Sequence, residues 1–260
     1  MKIEIWSDYA CPYCYIGKRH LQQALGRFEH REHVEIAHKA FELYPDAGPT
    51  VRNTTQQRIE AKYRKSPDEA RQMIAHIEQL ASRAGLTMNY AGVQNTNTFD
   101  AHRLTKVAAR HGKANEMDER LLEAYFTANL PLADRNNLLQ IAQDAGLDRS
   151  EIERALDDDT CADAVRDDER QAALLGIHGV PFFLIDGKIA LSGAQPAGQL
   201  LAALQQGWEE STRVAPEPDP ETFCTDTSAE PRPNPAANRV SPPDAPAACS
   251  PEHGNARRQA

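Results

Sequence analysis

The sequence predicts an α/β fold in which a βαβ unit and a ββα unit are separated by a large all-helical insertion. Three observations predict it. Within the first 41 residues, two segments of alternating polar and apolar residues flank a helical pattern. A helical pattern then continues for more than a hundred residues. After residue 180, two short apolar runs flank an Asp-Gly pair, the strongest short signal for a hairpin.

The N-terminal unit is a strand, a helix and a second strand. Residues 2–7 alternate as a strand does, and the helix after Cys14 has an apolar face formed by Leu21, Ala24, Leu25 and Phe28. Pro12 fits the first turn of this helix, where amide groups lack helical partners in any case. Residues 33–41 alternate again, and because a helix joins the two strands we expect them to be parallel.

The helical insertion is expected to span about residues 55–160. Its clearest start is Ser66-Pro67-Asp68-Glu69, a capping box with proline at the first helical position. The buried stripe that follows is Ala70, Met73, Ile74, Ile77, Leu80 and Ala81. Further helices are predicted at 99–111, 114–128, 135–145, 149–156 and 160–175, the last two starting at Asp148-x-x-Glu151 and Thr160-x-x-Asp163.

The C-terminal unit is a hairpin followed by a helix. Residues 180–185 and 188–191 are the apolar strands, and Asp186-Gly187 is the turn between them. A last helix is predicted from about Pro196 to Trp208. The order βαβ, helices, ββα is that of a thioredoxin-like fold with a helical insertion, which we assign to residues 1–210.

Residues 211–260 are predicted to form a flexible proline-rich tail. They hold ten of the 17 prolines, and Phe223 is their only aromatic residue. Such a composition does not bury enough apolar surface to offset the entropy lost on ordering. The tail carries Cys224 and Cys249, a candidate second redox pair that either closes on itself or exchanges with Cys11.

Composition narrows the class of partner. The net charge of −9 argues against nucleic acid, which needs an excess of Lys and Arg. No apolar run is long enough for a bilayer and no signal-peptide core is present, so we expect no membrane association and a cytoplasmic location. Five cysteines are too few for a disulfide scaffold, which directs attention to reactive cysteines. We expect no metal, because a zinc site would need two more ligands at matched spacing.

Cys11-Pro12-Tyr13-Cys14 lies where the first strand ends and the helix begins. The unpaired N–H groups of the first turn and the positive end of the helix dipole favour the thiolate of Cys11. Cys14 lies one turn further along on the same side and is expected to be deeper. We therefore expect Cys11 to attack a disulfide and Cys14 to release the product, with Pro12 and Tyr13 setting the redox potential.

Val180-Pro181 is the second predicted part of the site. A proline that opens a strand after a glycine is where a cis bond can make a tight entry, and the Val180 backbone is predicted to pair with an extended substrate. Asp8 and Glu42 are weaker candidates, which we expect to relay a proton to or from Cys14. In the simpler interpretation, Asp8 caps the next helix and Glu42 faces solvent.

Two other residues, His178 and Cys161, are of interest because their side chains are chemically reactive types. His178 could stabilise a thiolate, although a loop histidine is more often a surface group. Cys161 is expected to be a buried, inert thiol on an apolar stripe with Val165, Ala172 and Leu175.

Four segments in the same order carry a family resemblance. They are SDYACPYCYIGK at 7–18, FEL at 41–43, NTFDAHRL at 97–104, and GVPFF at 179–183 with SGAQ at 192–195. Over about residues 1–210 the sequence resembles the FrnE branch of the DsbA-like thioredoxin family. The resemblance implies a thioredoxin fold with a helical insertion, a catalytic pair at Cys11 and Cys14, and a cis-proline loop at Pro181. Tyr13 departs from the tryptophan expected there, which affects redox potential and substrate preference.

These observations predict a thiol–disulfide oxidoreductase or isomerase that acts on protein disulfides. Its partners would be disulfide-containing proteins or a thiol reductant, with no cofactor unless glutathione is a co-substrate. One alternative is a glutathione-dependent isomerase similar to 2-hydroxychromene-2-carboxylate isomerase, in which a serine stands near the position of Cys11. The other is a redox-responsive binding or chaperone-like protein whose tail docks or releases with the oxidation of Cys224 and Cys249. Oligomeric state and the direction of the redox reaction stay open.

Overall fold

A computed structural model describes residues 1–212 of the chain. Cys224 and Cys249, and with them the predicted second redox pair, lie outside the described residues. None of the helices within residues 1–212 is both long and apolar enough to cross a bilayer.

A four-stranded sheet with the order β2-β1-β3-β4 forms the centre of the fold. Strand β1 (Lys2–Ser7) pairs in parallel with β2 (Glu35–Ala40) and antiparallel with β3 (Phe182–Ile185). Strand β4 (Ile189–Ser192) completes the hairpin with β3. In the hairpin turn Asp186 and Gly187 have φ values of 48° and 68°, the left-handed conformation that two-residue hairpin loops require. The parallel pair and the Asp-Gly hairpin are as the sequence predicts.

Apolar side chains cover both faces of the sheet. Helices α1 (Pro12–Arg27) and α9 (Ala197–Thr212) pack on one face, where the buried cluster includes Ile3, Ile5, Leu21, Ala24, Phe28, Phe183, Ile185, Leu200 and Leu204. A second cluster on the sheet contains Trp6, Cys11, Cys14, Phe41, Leu43, Ala172, Ile177 and Val180. Because side chains alternate along β1, Ile5 and Trp6 belong to different clusters. The cysteines of the Cys-x-x-Cys motif are therefore part of a packed core.

The helical insertion packs around its own core and against α1. Its helices are α2 (Thr55–Tyr63), α3 (Pro67–Arg83), α4 (Phe99–Ala109), α5 (Ala114–Phe126), α6 (Arg135–Asp144) and α7 (Arg149–Asp157), followed by α8 (Ala162–Leu174) beside β2. Tyr15 and Ile16 of α1 belong to the core of the insertion. One helix thus contacts both halves of the molecule.

The predicted helix starts are correct at Ser66 and Asp148 and wrong at Thr160. Ser66 forms a reciprocal capping box with Glu69, and the Asp148 carboxylate accepts the N–H groups at the start of α7. The Thr160 N–H instead donates to Asp158, and helix α8 begins two residues later. Periodicity does not single out α2, whose start is a second capping box formed by Thr54 and Gln57.

Cys161 is not on a buried helical stripe, which corrects the prediction. It precedes α8 with a left-handed φ of 62°, and it is half-buried beside the core of the insertion. Leu175, expected on the same stripe, is 51% exposed. The difference arises because the helix starts after Cys161, so the residue does not follow the helical spacing.

Candidate active site

Cys11 occupies the N-cap position of α1, with φ of −100° and ψ of 112°, and Pro12 is the first helical residue. No side chain caps this helix end. The amide groups of the first turn and the positive end of the helix dipole therefore lie at Cys11. The Cys11 N–H donates to the Asp8 carbonyl at 3.1 Å, which fixes the short connection from β1.

The loop before β3 brings Val180 and Pro181 to the cysteine motif. The Val180–Pro181 peptide bond is cis, and the Val180 carbonyl accepts a hydrogen bond from Cys11 Sγ at 3.4 Å. The Pro181 carbonyl accepts the Gly193 N–H at 2.8 Å, which joins this loop to the end of β4. Three predicted site residues, Cys11, Val180 and Pro181, thus meet in one place.

Gly17 permits the close approach of α1 to this loop. A Cβ atom at position 17 would lie 3.1 Å from Pro181 Cγ and 3.3 Å from Phe183 Cζ. Such separations are tighter than ordinary van der Waals contact, so a larger side chain would displace the helix or the loop. The glycine therefore helps to set the distance between Cys11 and Val180.

The expected difference in depth between the two cysteines is absent. Cys11 is 0% exposed and Cys14 is 3% exposed, and both pack among the apolar residues of the same cluster. Cys14 does not lie deeper, because the Val180 loop and the side chains around it bury the start of the helix. The position of Cys11 at the N-terminus of the helix, rather than its exposure, distinguishes the two.

Asp8 lies buried at the end of β1, and its carboxylate joins three segments of chain. Oδ2 accepts the Leu43 N–H at 2.7 Å, and Oδ1 accepts the Ala10 N–H at 3.2 Å and the Thr98 hydroxyl at 2.8 Å. His102 Nε2 is 3.4 Å from Oδ1. The simpler interpretation, that Asp8 caps α1, is therefore wrong. The nearby N–H that Asp8 accepts belongs to Ala10, which precedes that helix.

Glu42 is likewise buried and not solvated. Its Oε1 accepts a hydrogen bond from Asn97 at 3.1 Å, and its Oε2 accepts one from Arg166 at 2.6 Å. Burial raises the pKa of Glu42, while the hydrogen bond from Arg166 opposes this effect. The two predicted acids thus lie at the ends of adjacent strands, each in a network of donors.

The sequence and fold are similar to those of known proteins. The family model of the DSBA-like thioredoxin domain matches residues 2–205, a range that includes both halves of the sheet and the whole insertion. The chain belongs to the DSBA-like thioredoxin domain family. A solved structure described as a probable DsbA oxidoreductase from Streptomyces coelicolor is 37% identical, with a TM-score of 0.78 over 83% of this chain and 93% of that one.

More distant solved structures share the fold. The structure of a 2-hydroxychromene-2-carboxylate isomerase has a TM-score of 0.62 at 13% identity and covers 81% of this chain and 98% of its own. The cytosolic disulfide reductase DsbM from Pseudomonas aeruginosa has a TM-score of 0.55 at 17% identity and covers 81% of this chain and all of its own. The same fold thus occurs in proteins described as an isomerase and as a reductase.

The other predicted residues take different positions in this DSBA-like domain. Pro12 is buried and Tyr13 half-buried, and both line a small cavity together with Tyr44, Arg58 and Lys62. His178 is exposed in the loop before the cis-proline. Within residues 1–212, no group of three His, Cys, Asp or Glu side chains is placed to hold a metal ion.

Sequence reasoning missed the residues that hold the buried acids of the DSBA-like domain. Asn97 donates a hydrogen bond to Glu42 and Thr98 donates one to Asp8, while His102 Nε2 lies 3.4 Å from Asp8; all three residues lie in the segment 97–104 that contributes to the family resemblance. That segment was a usable signal for contact with the site. The sequence holds no such signal for Arg166, because an arginine on an amphipathic helix resembles any other solvated residue.

Proposed function

We propose that the protein is a thiol–disulfide oxidoreductase that acts on protein disulfides through Cys11 and Cys14. The Cys11 thiolate attacks one sulfur of a substrate disulfide, so that a Cys11–substrate disulfide forms and the second substrate sulfur leaves as a thiolate that takes up a proton. Cys14 loses its proton and attacks the Cys11 sulfur, which releases the first substrate sulfur. The substrate gains two electrons, and Cys11 and Cys14 become a disulfide.

The contact between Cys11 Sγ and the Val180 carbonyl carries this proposal. It places the N-terminal sulfur of α1 beside the backbone that precedes β3. An extended substrate that pairs with the Val180 backbone would bring its own sulfur close to Cys11. The same groups serve in reverse if the oxidised pair accepts electrons from a client.

A thiol reductant completes the cycle when the protein reduces its clients. Two thiols reduce the Cys11–Cys14 disulfide and leave as their own disulfide, and we propose glutathione as such a co-substrate. We also propose a cytoplasmic site of action, because a chain with only five cysteines suits a compartment that keeps thiols reduced. The FrnE-type assignment and the role of Tyr13 in the redox potential belong to the same proposal.

Reduction of insulin by dithiothreitol tests the proposal. We expect Cys11→Ser to lower the rate by at least about a hundredfold, because the nucleophile is lost. Cys14→Ser should accumulate mixed disulfides through Cys11, which non-reducing electrophoresis detects. Cys161→Ser is the matched control and should keep the wild-type rate. Activity that persists in Cys11→Ser would falsify the proposal.

A glutathione-dependent isomerase of small molecules is the second candidate, favoured by the shared fold with 2-hydroxychromene-2-carboxylate isomerase. Such an enzyme activates the sulfur of its ligand and does not need a dithiol in the protein. We therefore expect isomerase activity, if it is the true function, to survive Cys14→Ser. Assaying both reactions with the same variants separates the two candidates.

A further inference from the structure

His102 is a buried histidine on helix α4 whose ring nitrogen Nε2 has no hydrogen bond. Its side chain is 4% exposed, and its ring centre lies 4.7 Å from that of Tyr9. No group of residues 1–212 forms a hydrogen bond with Nε2. Because nearly all buried polar atoms are hydrogen-bonded, an unpaired ring nitrogen in a protein core needs an explanation, and a catalytic role is a common one.

Asp8 is the acid closest in geometry to this nitrogen, with Oδ1 3.4 Å from Nε2. The Asp8 side chain is fully buried, and His102 is the only Lys, Arg or His of residues 1–212 within ion-pair distance of it. Two other buried carboxylates have permanent cations, since Asp118 pairs with a lysine at 2.7 Å and Glu42 with an arginine at 2.6 Å. Asp8 therefore depends on His102 for a counter-charge, because a buried carboxylate without one is costly.

Three hydrogen-bond donors favour the ionised form of Asp8. They are the N–H groups of Ala10 and Leu43 and the hydroxyl of Thr98. A proton that reaches the Asp8–His102 pair is therefore held better by the imidazole than by the carboxylate. On Nε2 it would turn the 3.4 Å contact into a charge-assisted hydrogen bond.

The other groups around His102 do not compete for this proton. They are Tyr9 between β1 and α1, Asp118 of α5 with its partners Lys18 and His38, and Glu42 after β2 with its partner Arg166. Burial, together with the nearby charge of Asp118, raises the pKa of Tyr9 well above its ordinary value, so Tyr9 keeps its own proton. The two carboxylates favour a positive charge on His102.

The Asp8 carboxylate borders the cluster that contains the two cysteines. Leu43, whose N–H donates to Oδ2 of Asp8, packs in the same buried cluster as Cys11 and Cys14. The Asp8 carbonyl also accepts the Cys11 N–H at 3.1 Å. Cys14 is only 3% exposed, so a proton acceptor inside the protein is better placed than bulk water to take its proton.

We propose that His102 is a positioning residue that holds, by way of Asp8, the proton that Cys14 gives up during thiol–disulfide exchange. The inference rests on the proposed exchange reaction and adds the destination of the proton. When Cys14 attacks the Cys11–substrate disulfide, its S–H bond breaks and the proton passes through Asp8 to Nε2 of His102.

In the same step the Cys14–Cys11 bond forms, the bond between Cys11 and the substrate breaks, and the substrate sulfur leaves with the electron pair. When a thiol reductant later attacks Cys11, the Cys14 sulfur leaves as a thiolate and takes the proton back from His102. The proton thus stays in the protein between the two halves of the cycle.

Stopped-flow mixing of the reduced full chain with dithiobis(nitrobenzoate) separates the two steps. The chain carries serine at positions 161, 224 and 249, so that only Cys11 and Cys14 react. Attack by Cys11 releases one coloured nitrothiolate, and displacement by Cys14 releases the second. The first phase does not involve the proton of Cys14 and is the internal control.

His102→Gln tests the role of the imidazole, because glutamine is polar but does not take up a proton. We expect the second phase to slow by about a hundredfold and the first phase to stay nearly unchanged. His76→Gln, at an exposed histidine of α3, is the matched control and should leave both phases unchanged. A second phase of wild-type rate in His102→Gln would overturn the proposal.

The pH profile distinguishes proton uptake from a structural role. In the wild type the second phase should rise and then level off between about pH 5 and pH 9, because only the neutral imidazole accepts a proton. In His102→Gln it should keep rising with hydroxide throughout that range. In Asp8→Asn the rise should move to lower pH by about one unit, because the anion that favours the imidazolium is lost.

Each failure has its own signature. A His102→Gln profile of wild-type shape, lowered by a constant factor, would refute proton uptake by His102. A wild-type second phase that never levels off would refute it as well, even if no variant folds. Absence of both phases in the wild type would instead refute the exchange reaction itself.

Discussion

Two regions of opposite character meet at the end of β1. On one side Cys11 and Cys14 pack with Trp6, Phe41 and Val180 in an apolar cluster. On the other side lie three buried carboxylates, Asp8, Glu42 and Asp118, with His102 close enough to influence each of them. We call these regions the sulfur side and the carboxylate side.

The two sides differ in the interactions that hold them together: hydrogen bonds to buried carboxylates on one side, and apolar packing around the cysteines on the other. On the carboxylate side, every oxygen of Asp8 and Glu42 accepts a hydrogen bond from another segment. A carboxylate so engaged is costly to remove, because its donors lose their acceptor inside the protein. On the sulfur side, apolar packing holds the two cysteines in place. We therefore expect substitutions on the carboxylate side to lower stability more than those on the sulfur side.

Asp8→Ala should give the largest loss of stability. It leaves the N–H groups of Ala10 and Leu43 and the Thr98 hydroxyl without their acceptor, at a cost of about 3 kcal/mol in the free energy of unfolding. Urea unfolding at neutral pH measures it. Asp159→Ala, at an exposed position, is the control and should change stability by less than about 0.5 kcal/mol. Equal effects at both positions would contradict the architectural role.

The proton relay predicted for Asp8 and Glu42 can be tested separately from their effect on stability. In Asp8→Asn and Glu42→Gln, the step in which Cys14 displaces the bound substrate should slow at neutral pH, even while the variant is fully folded. Single-turnover release from a preformed mixed disulfide measures that step. Unchanged release in both variants would leave the two acids with a structural role only.

Asp118→Asn should make stability less dependent on pH at the acidic end. Burial by itself would raise the pKa of Asp118, but Lys18 and His38 outweigh it and lower the pKa below its ordinary value of 3.8. The ionised carboxylate, 2.7 Å from Lys18 Nζ, therefore stabilises the fold above that value, and the stabilisation is lost as the pH falls through the lowered pKa.

The variant should lose about 2 kcal/mol at pH 7 and approach the wild type in strong acid. Urea midpoints measured from pH 7 to pH 2 follow the difference. Glu116→Gln, an exposed acid on the same helix, should stay within about 0.5 kcal/mol of the wild type throughout. A constant gap between Asp118→Asn and the wild type at all pH values would refute the linkage.

Two glycines of α1 provide the smallest and sharpest test of the sulfur side. Gly26→Ala should stabilise the protein by about 0.5–1 kcal/mol, because nothing lies within 4 Å of the new Cβ and alanine favours helix. Gly17→Ala gains the same helical preference but crowds Pro181, so its stability should fall below that of Gly26→Ala by about 1 kcal/mol or more. Its rate of insulin reduction should also fall, whereas that of Gly26→Ala should not. Equal stability of the two variants would show that the loop adapts freely.

Much of the fold is visible in the sequence because it depends on short-range preferences. Alternation predicts β1 and β2, Asp186-Gly187 predicts the hairpin, and Ser66 with Glu69 predicts the start of α3. The same local logic fails at Thr160, since its side chain offers a cap but the chain turns at Cys161 instead. Propensity ranks the local options, and packing of α8 against β2 and α4 selects among them.

The candidate site divides in the same way. The sequence alone placed Cys11 at the N-terminus of a helix, since a strand, Pro12 and an apolar helical face follow one another within a few residues. It also pointed to Val180 and Pro181. It could not predict that Cys14 is no deeper than Cys11, or that Asn97 and Arg166 hold Glu42, because burial depends on elements distant in the chain.

Tertiary structure decided which of these groups meet. The register of the sheet pairs Trp6 with Phe182, so the residue before β3 comes beside the connection that follows β1, and Cys11 reaches Val180 across 169 positions of sequence. Local sequence determined the Cys-x-x-Cys motif and the elements that present it. Their partners were determined by long-range packing, which no short-range pattern of residues encodes.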